Sequence, residues 1–235
     1  MRLGIMQPYF FPYLGYFSLI KHTDHFIFFD TPQYERRSWM NRNRILNSNK
    51  EAAYISVPLQ KAPRETAIKD MLIDNSKDWK ADMVAKLPHY KKHAPYYKET
   101  LELFERLLAP EYKSLADLNI ATTTGICHYL GIGHEFQTFS QMNMNMDNVS
   151  AADEWALEIT RQLGYDTYIN PPGGMSFFDR EKYKNAGIEL QFLQSKLPPY
   201  VQRIGRFEPG LSILDVLMFN TVDEVNAMLD EFDIL

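Results

Sequence analysis

Four segments of this 235-residue chain concentrate side chains able to bind or react. The first is Gln7 to Tyr16, where Gln7, Tyr9, Tyr13 and Tyr16 crowd one short stretch with two further phenylalanines. Tyrosine and glutamine give hydrogen bonds along a flat apolar face, a combination suited to a sugar, a base or an acyl group. The same residues would equally serve as an aromatic staple that packs a loop onto its neighbours. The second segment, Gln33 to Ile45, holds Gln33, Tyr34, Arg36, Arg37, Trp39, Asn41, Arg42, Asn43 and Arg44. Guanidinium forks match phosphate or carboxylate, asparagine both donates and accepts, and tryptophan offers a face to a ring. A solvated basic loop is the simpler alternative. The third, Asn170 to Ser176, pairs Asn170 with Gly173 and Gly174, whose backbone amides can approach an anion closely, or which simply make a turn. The fourth, Pro198 to Pro209, carries Gln202 and Arg203 either toward the same ligand or across the surface.

Other reactive-looking residues have plainer explanations. Ser114, Ser150, Ser176 and Ser212, each with aspartate three residues on, and Thr221 with Glu224 match the capping box that opens helices. His89 and His93 have zinc-like spacing but lack an intervening glutamate and a third ligand, so no metal is expected. Cys127 is alone, which rules out a disulfide framework. With 25 basic and 30 acidic side chains the chain is mildly negative, which argues against nucleic acid as a partner but not against a local phosphate pocket. No apolar run approaches the roughly 18 residues of a membrane span, and the start lacks a signal-type segment, so a cytoplasmic location is expected.

The elements that would position these residues alternate. Leu3 to Met6 reads as a strand, Tyr13 to His22 as a helix and Phe26 to Phe29 as a second strand, the content of one βαβ unit. Tyr54 to Leu59 and Ile68 to Ile73 are further strand candidates. Helices are expected over Lys77 to Tyr90, Tyr96 to Leu108 and Leu115 to Leu130. Alternation then returns, with strands at Glu135 to Phe139, Thr167 to Ile169 and Ile188 to Leu193. The helices are Ala151 to Leu163, Phe177 to Ala186, Ile213 to Asn220 and Val222 to Phe232. The expected fold is α/β, an open, mainly parallel Rossmann-like sheet with flanking helices. Residues 1–235 form one domain in this reading, with 77–130 a helical insertion or subdomain. In such sheets ligands meet the carboxyl ends of the strands, which is where the first two segments fall.

Met6 to Phe17, then Trp39 to Ile45, resemble the opening of WbqC-like proteins, and Tyr168-Ile169-Asn170 with Gly173-Gly174 and Leu211 to Asp215 resemble that family's later blocks. The resemblance spans almost the full chain and implies a bacterial role in O-antigen or other surface-polysaccharide biosynthesis. A fainter resemblance is to the nucleotidyl-transferase and pantoate-ligase superfamily, whose His-x-Gly-His signature sits at the same loop. Tyr13 and Tyr16 occupy its histidine places, and tyrosine brings no positive charge at neutral pH.

The resulting expectation is an enzyme that acylates or aminoacylates the amine of a nucleotide-activated sugar, with ATP or an acyl carrier as possible co-substrate. Arg36, Arg37 and Arg42 would hold a diphosphate. Tyr9, Tyr13 and Tyr16 would shape the sugar or acyl pocket, and Gln7, Asn41 and Asn43 would orient it. Asp30 and His22 are the general-base candidates, because amide formation must release a proton. A non-catalytic nucleotide-sugar binder is the alternative reading. A glycosyltransferase ranks third, for want of an Asp-x-Asp motif.

Overall fold

The computed structural model describes residues 1–202 and 206–235. Its centre is a six-stranded sheet built on β1 (Arg2–Met6) and β2 (His25–Phe28), joined through helix α1 (Leu14–Lys21). The remaining sheet strands are β5 (Phe136–Thr138), β6 (Thr167–Asn170), β7 (Glu189–Ser195) and β8 (Phe232–Ile234), in the order β5-β2-β1-β6-β7-β8. All pairings are parallel except the edge pair, in which Ser195 meets Phe232 antiparallel. The expected open, mainly parallel α/β sheet is therefore present. Because β2 and β6 flank β1 on opposite sides, the connections diverge at the carboxyl end of β1, the place where open α/β sheets form a crevice.

Side-chain alternation covers both faces of this sheet. Leu3, Ile5 and Ile27 point into one layer with Ile159 of helix α5 (Glu154–Gln162) and Tyr183 of α6 (Arg180–Asn185). Phe26, Phe28 and Ile169 point into the other, against α1, α4 (Leu115–Tyr129), α7 (Ile213–Phe219) and α8 (Val222–Leu229). Burial of fully apolar strands on both faces is what parallel sheets require. The helical section, α2 (Trp79–Val84), α3 (Tyr97–Leu108) and α4, contributes Trp79, Phe104 and Leu118 to this second layer.

Some expected elements differ in the structure. Arg42–Leu46 is a strand, β3, paired antiparallel with β4 (Ala52–Ser56), so half of the arginine-rich segment is a hairpin arm instead of a loop. Tyr54 to Leu59 is thus a strand only to Ser56. Ile68 to Ile73 is not a strand: a 3₁₀ turn fills Ile68–Asp70, and single bridges tie Leu59 to Ile73 and Leu72 to Ser114. The helix expected over Lys77 to Tyr90 stops at Val84, and Pro88, which restricts the residue before it and donates no amide, opens a separate 3₁₀ turn. Val222 to Phe232 is helix only to Leu229 and then turns back as β8.

Helix starts divide the same way. Ser114 caps α4, and Thr221 with Glu224 forms the full reciprocal box. Ser150 bonds Glu154 instead of Asp153, because α5 begins later than expected, and Asp179, not Ser176, caps α6. Ser212 accepts from Leu214, but Asp215 turns inward, away from the cap.

Candidate functional site

The carboxyl ends of β1 and β6 open into a cavity of about 800 Å³. Gln7, Tyr9 and Tyr13 come to it from the loop after β1, Phe29 from the end of β2, and Asn170, Gly173 and Gly174 from the end of β6. Trp155 of α5 and the Phe177-Phe178 pair complete its aromatic walls, while Trp39 stands at the rim, 41% exposed.

The aromatic loop is divided between core and cavity. Phe10 and Phe11 are fully buried, their rings 4.9 Å apart and edge to face. Phe11 adopts φ of +40°, a conformation a bulky side chain takes only when its surroundings impose it. Its carbonyl accepts from Asn43 Nδ2 at 2.9 Å and Ser212 Oγ at 2.8 Å, and Ile213 donates its amide to the carbonyl of Pro12. With the two phenylalanines anchored inward, Tyr9 and Tyr13 on either side are left facing the cavity. Tyr16 is buried beneath them and donates to the Gln7 carbonyl at 2.9 Å.

A second set of bonds fixes Trp39 beside this loop. Phe10 donates its amide to the Trp39 carbonyl at 2.9 Å. Asn119 of α4, fully buried, donates to the carbonyls of Pro8 and Met40 at 2.9 and 2.7 Å, so one amide group holds both segments together. Glycine is required at two close approaches. A Cβ on Gly15 would lie 2.5 Å from the Tyr13 ring, and one on Gly174 would lie 2.6 Å from Asn170 Nδ2. Asn170 is also oriented by Tyr168, which donates to its Oδ1 at 2.9 Å.

The cavity has an unusual charge balance. Among the described residues its lining includes no lysine, arginine or histidine, and one carboxylate, Glu35. Glu35 makes no ion pair among the described residues. Burial, the nearby negative charge of Glu35 and Tyr13 together push the Tyr9 hydroxyl up to about 12, so Tyr9 keeps its proton and donates to Gln7 Oε1 at 3.2 Å. Aromatic faces around a single carboxylate favour a cation or ammonium group.

The other residues singled out in the sequence lie elsewhere. Gln33, Arg36 and Asn41 border a neighbouring cavity, with Glu35 shared between the two. Arg37 has φ of +61° and gives its carbonyl to the guanidinium of Arg42, which stacks 4.3 Å over Tyr54. Arg44 pairs with Glu208 at 3.1 Å. Asn43 is buried and engaged with Phe10 and Phe11. Asp30 is buried outside the cavity, accepting from the amide and hydroxyl of Ser140 at 3.0 and 2.6 Å, a tie between the ends of β2 and β5. His22 sits at the opposite sheet edge, where β1, β6 and β7 begin, paired with Asp230 at 3.0 Å and packed on Phe232.

Gln202 is buried in a different tyrosine cluster, and Arg203 falls outside the described residues. In that cluster Asp215 accepts from Tyr90 and Tyr200 at 2.5 Å each and from Gln202 at 3.3 Å, while Tyr90 accepts from the Leu46 amide. Burial pushes the Asp215 carboxyl above its usual range despite the donors around it. Among the described residues no group of three or more His, Cys, Asp or Glu is placed to hold a metal, and no helix is long and apolar enough to cross a membrane.

Sequence reasoning passed over Glu35, Phe29, Trp155 and Asn119. Glu35 stood as a lone acid before four arginines, Phe29 closed an expected strand, and Trp155 and Asn119 lay unremarked within expected helices. Only their position at strand ends and between segments gives them away.

No solved structure matches the chain. It is 31% identical over 222 residues, 93% of each chain, to the "Uncharacterized protein Rv1507c" of Mycobacterium tuberculosis (strain ATCC 25618 / H37Rv). The model of the WbqC-like protein family matches residues 7–227, from the loop that opens the cavity to the last helix, and the chain belongs to that family.

Proposed function

We propose that the chain is an enzyme of surface-polysaccharide biosynthesis that acylates or aminoacylates the amine of a nucleotide-linked amino sugar held in the aromatic cavity. The observation that carries this reading is the pairing of aromatic walls with Glu35, the single charged side chain of the cavity among the described residues. An ammonium group over Tyr9 or Trp39 gains about 0.5–2 kcal/mol from each well-placed ring, and a carboxylate beside it adds direction. Gln7 and Asn170, at the ends of β1 and β6, offer amides to sugar hydroxyls.

In the reaction the bound ammonium first gives a proton to water, and the neutral amine then attacks the carbonyl carbon of an activated acyl group. A carbon–nitrogen bond forms, the bond to the acyl carrier breaks, and Glu35 takes the proton released by nitrogen. Tyr9, protonated throughout the neutral range, can donate to the oxygen on which charge develops. A cytoplasmic setting, where nucleotide-linked sugars are made, fits this chemistry.

Incubating the protein with a uridine-diphosphate amino sugar and either an acyl thioester or ATP plus a carboxylic acid, followed by mass spectrometry, tests the proposal. Mass gain on the sugar, lost in Glu35→Gln, is the expected result. A second reading, a non-catalytic binder, is favoured by the location of Asp30 and His22 outside the cavity. Tight binding with no product under either donor would select it.

A further inference from the structure

Past Glu35 the surface reverses its sign. A second cavity of about 1290 Å³ lies between the segment Gln33 to Arg36 and the loop Leu59 to Arg64. Among the described residues its charged side chains are Arg36, Lys61 and Arg64, opposed by Glu35 at the shared wall. None of the three cations forms an ion pair among the described residues. On a chain with net charge −5, three unpaired cations in one concavity form a local positive field.

The loop that carries Lys61 and Arg64 is held at both ends. Leu59 bridges Ile73, Gln60 donates its amide to Leu72 and its side chain to Ile73, and Asp74 donates to Pro58. At the far end Gln33 bridges Ala67, Tyr34 donates to Thr66, and Ile68 donates to Pro32. Arg36 and Arg64 thus face one concavity from two segments that are hydrogen-bonded to each other. Two guanidinium forks and an ammonium suit the oxygens of linked phosphates, which accept from several directions at once.

We propose that this second cavity is the phosphate subsite of the same ligand, binding a phosphoanhydride through Arg36, Lys61 and Arg64. The ligand class is a molecule with an amine-bearing ring at one end and linked phosphates at the other, the two parted by Glu35. That assignment builds on the amine reading of the first cavity, although the phosphate subsite stands on its own cations. It places the phosphates away from Arg37 and Arg42, which are occupied with each other and with Tyr54.

The test is calorimetric titration of the full chain with pyrophosphate, UDP, ATP and, separately, glucosamine, which carries the amine and no phosphate. The native chain is expected to bind pyrophosphate, with affinity falling as salt rises. Lys61→Ala/Arg64→Ala should weaken pyrophosphate at least tenfold and leave glucosamine unchanged. Arg64→Glu, an exposed change that spares the core, should abolish pyrophosphate binding while melting stays cooperative. A preference for UDP or for ATP identifies whether the phosphates come from a sugar carrier or an activating nucleotide, and either supports the subsite. No pyrophosphate binding by the native chain, or binding that the variants retain, overturns it. Failure of glucosamine alone, with pyrophosphate binding intact, overturns only the amine reading.

Discussion

Two tyrosine clusters use similar side chains to opposite ends. Around Asp215, Tyr90, Tyr200 and Gln202 all donate to a fully buried carboxylate, and the spaces beside Tyr90 and Tyr200 measure about 20 and 10 Å³. Around Glu35, Tyr9 and Tyr13 face about 800 Å³ of open cavity, and Tyr9 donates to Gln7 instead of the acid. The first cluster has satisfied its carboxylate internally and is a structural tie between the 3₁₀ turn at Pro88–Lys92, α7 and the segment before it. The second leaves its carboxylate without an ion pair among the described residues. Residue type therefore does not distinguish the two clusters; the count of internal donors to the carboxylate does.

The largest effect should come from breaking the closed cluster. Asp215→Ala leaves two buried hydroxyls without their acceptor and should cost about 3 kcal/mol, read as a lower urea midpoint at unchanged slope. Asp215→Asn should cost less, since one acceptor oxygen remains. Because burial raises the folded-state carboxyl above its unfolded value, its contribution is complete below the unfolded value and declines as pH rises through the folded one. The stability gap between the native chain and Asp215→Asn should therefore shrink as pH climbs from the acid range, and urea unfolding at several pH values checks the sign. Ligand affinity measured at one pH, with the protein folded, should stay within about twofold.

Asn119→Ala comes next. It strips the shared donor from the Pro8 and Met40 carbonyls, each worth about 1 kcal/mol when left buried and unmade, for a total near 2 kcal/mol. Unlike the Asp215 variants it should also weaken ligand binding, because Trp39 loses its registration with Tyr9. Gly15→Ala reverses the balance. Alanine improves a helix by about 1 kcal/mol, yet its Cβ meets the Tyr13 ring at 2.5 Å, so stability should change little while affinity drops several-fold as that ring moves. The smallest effect is Tyr9→Phe, which removes one hydrogen bond to Gln7 and should cost under about 1 kcal/mol in melting experiments.

The core of the sheet was legible in the sequence. Leu3 to Met6, the helix after Pro12 and Phe26 to Phe29 are apolar runs of ordinary length, and the structure has strand, helix and strand there. The β3–β4 hairpin was not legible. In Arg42-Asn43-Arg44-Ile45 the inward position is taken by Asn43, whose burial depends on carbonyls that a left-handed Phe11 presents from a distant loop. Alternation of polar with polar gives no period-two signal. β8 was hidden for another reason: three residues after a helix carry too little pattern, and pairing with β7 decides their conformation. At the site, the arginine-rich segment read as one clamp, yet its residues divide between a hairpin arm and a second cavity because the chain reverses near Arg37. Glu35 shares its cavity with aromatic rings that other elements bring there, which its place in the sequence does not show.

Selection of an amine by the aromatic cavity through Glu35 is the property on which the proposed function rests. Its most direct test is calorimetric comparison of a uridine-diphosphate amino sugar with its N-acetylated counterpart, on the native chain and on Glu35→Gln. The native chain should bind the free amine at least tenfold more tightly, and Glu35→Gln should lose that preference while remaining folded. Equal binding of the two sugars, or a preference that survives Glu35→Gln, would contradict the claim.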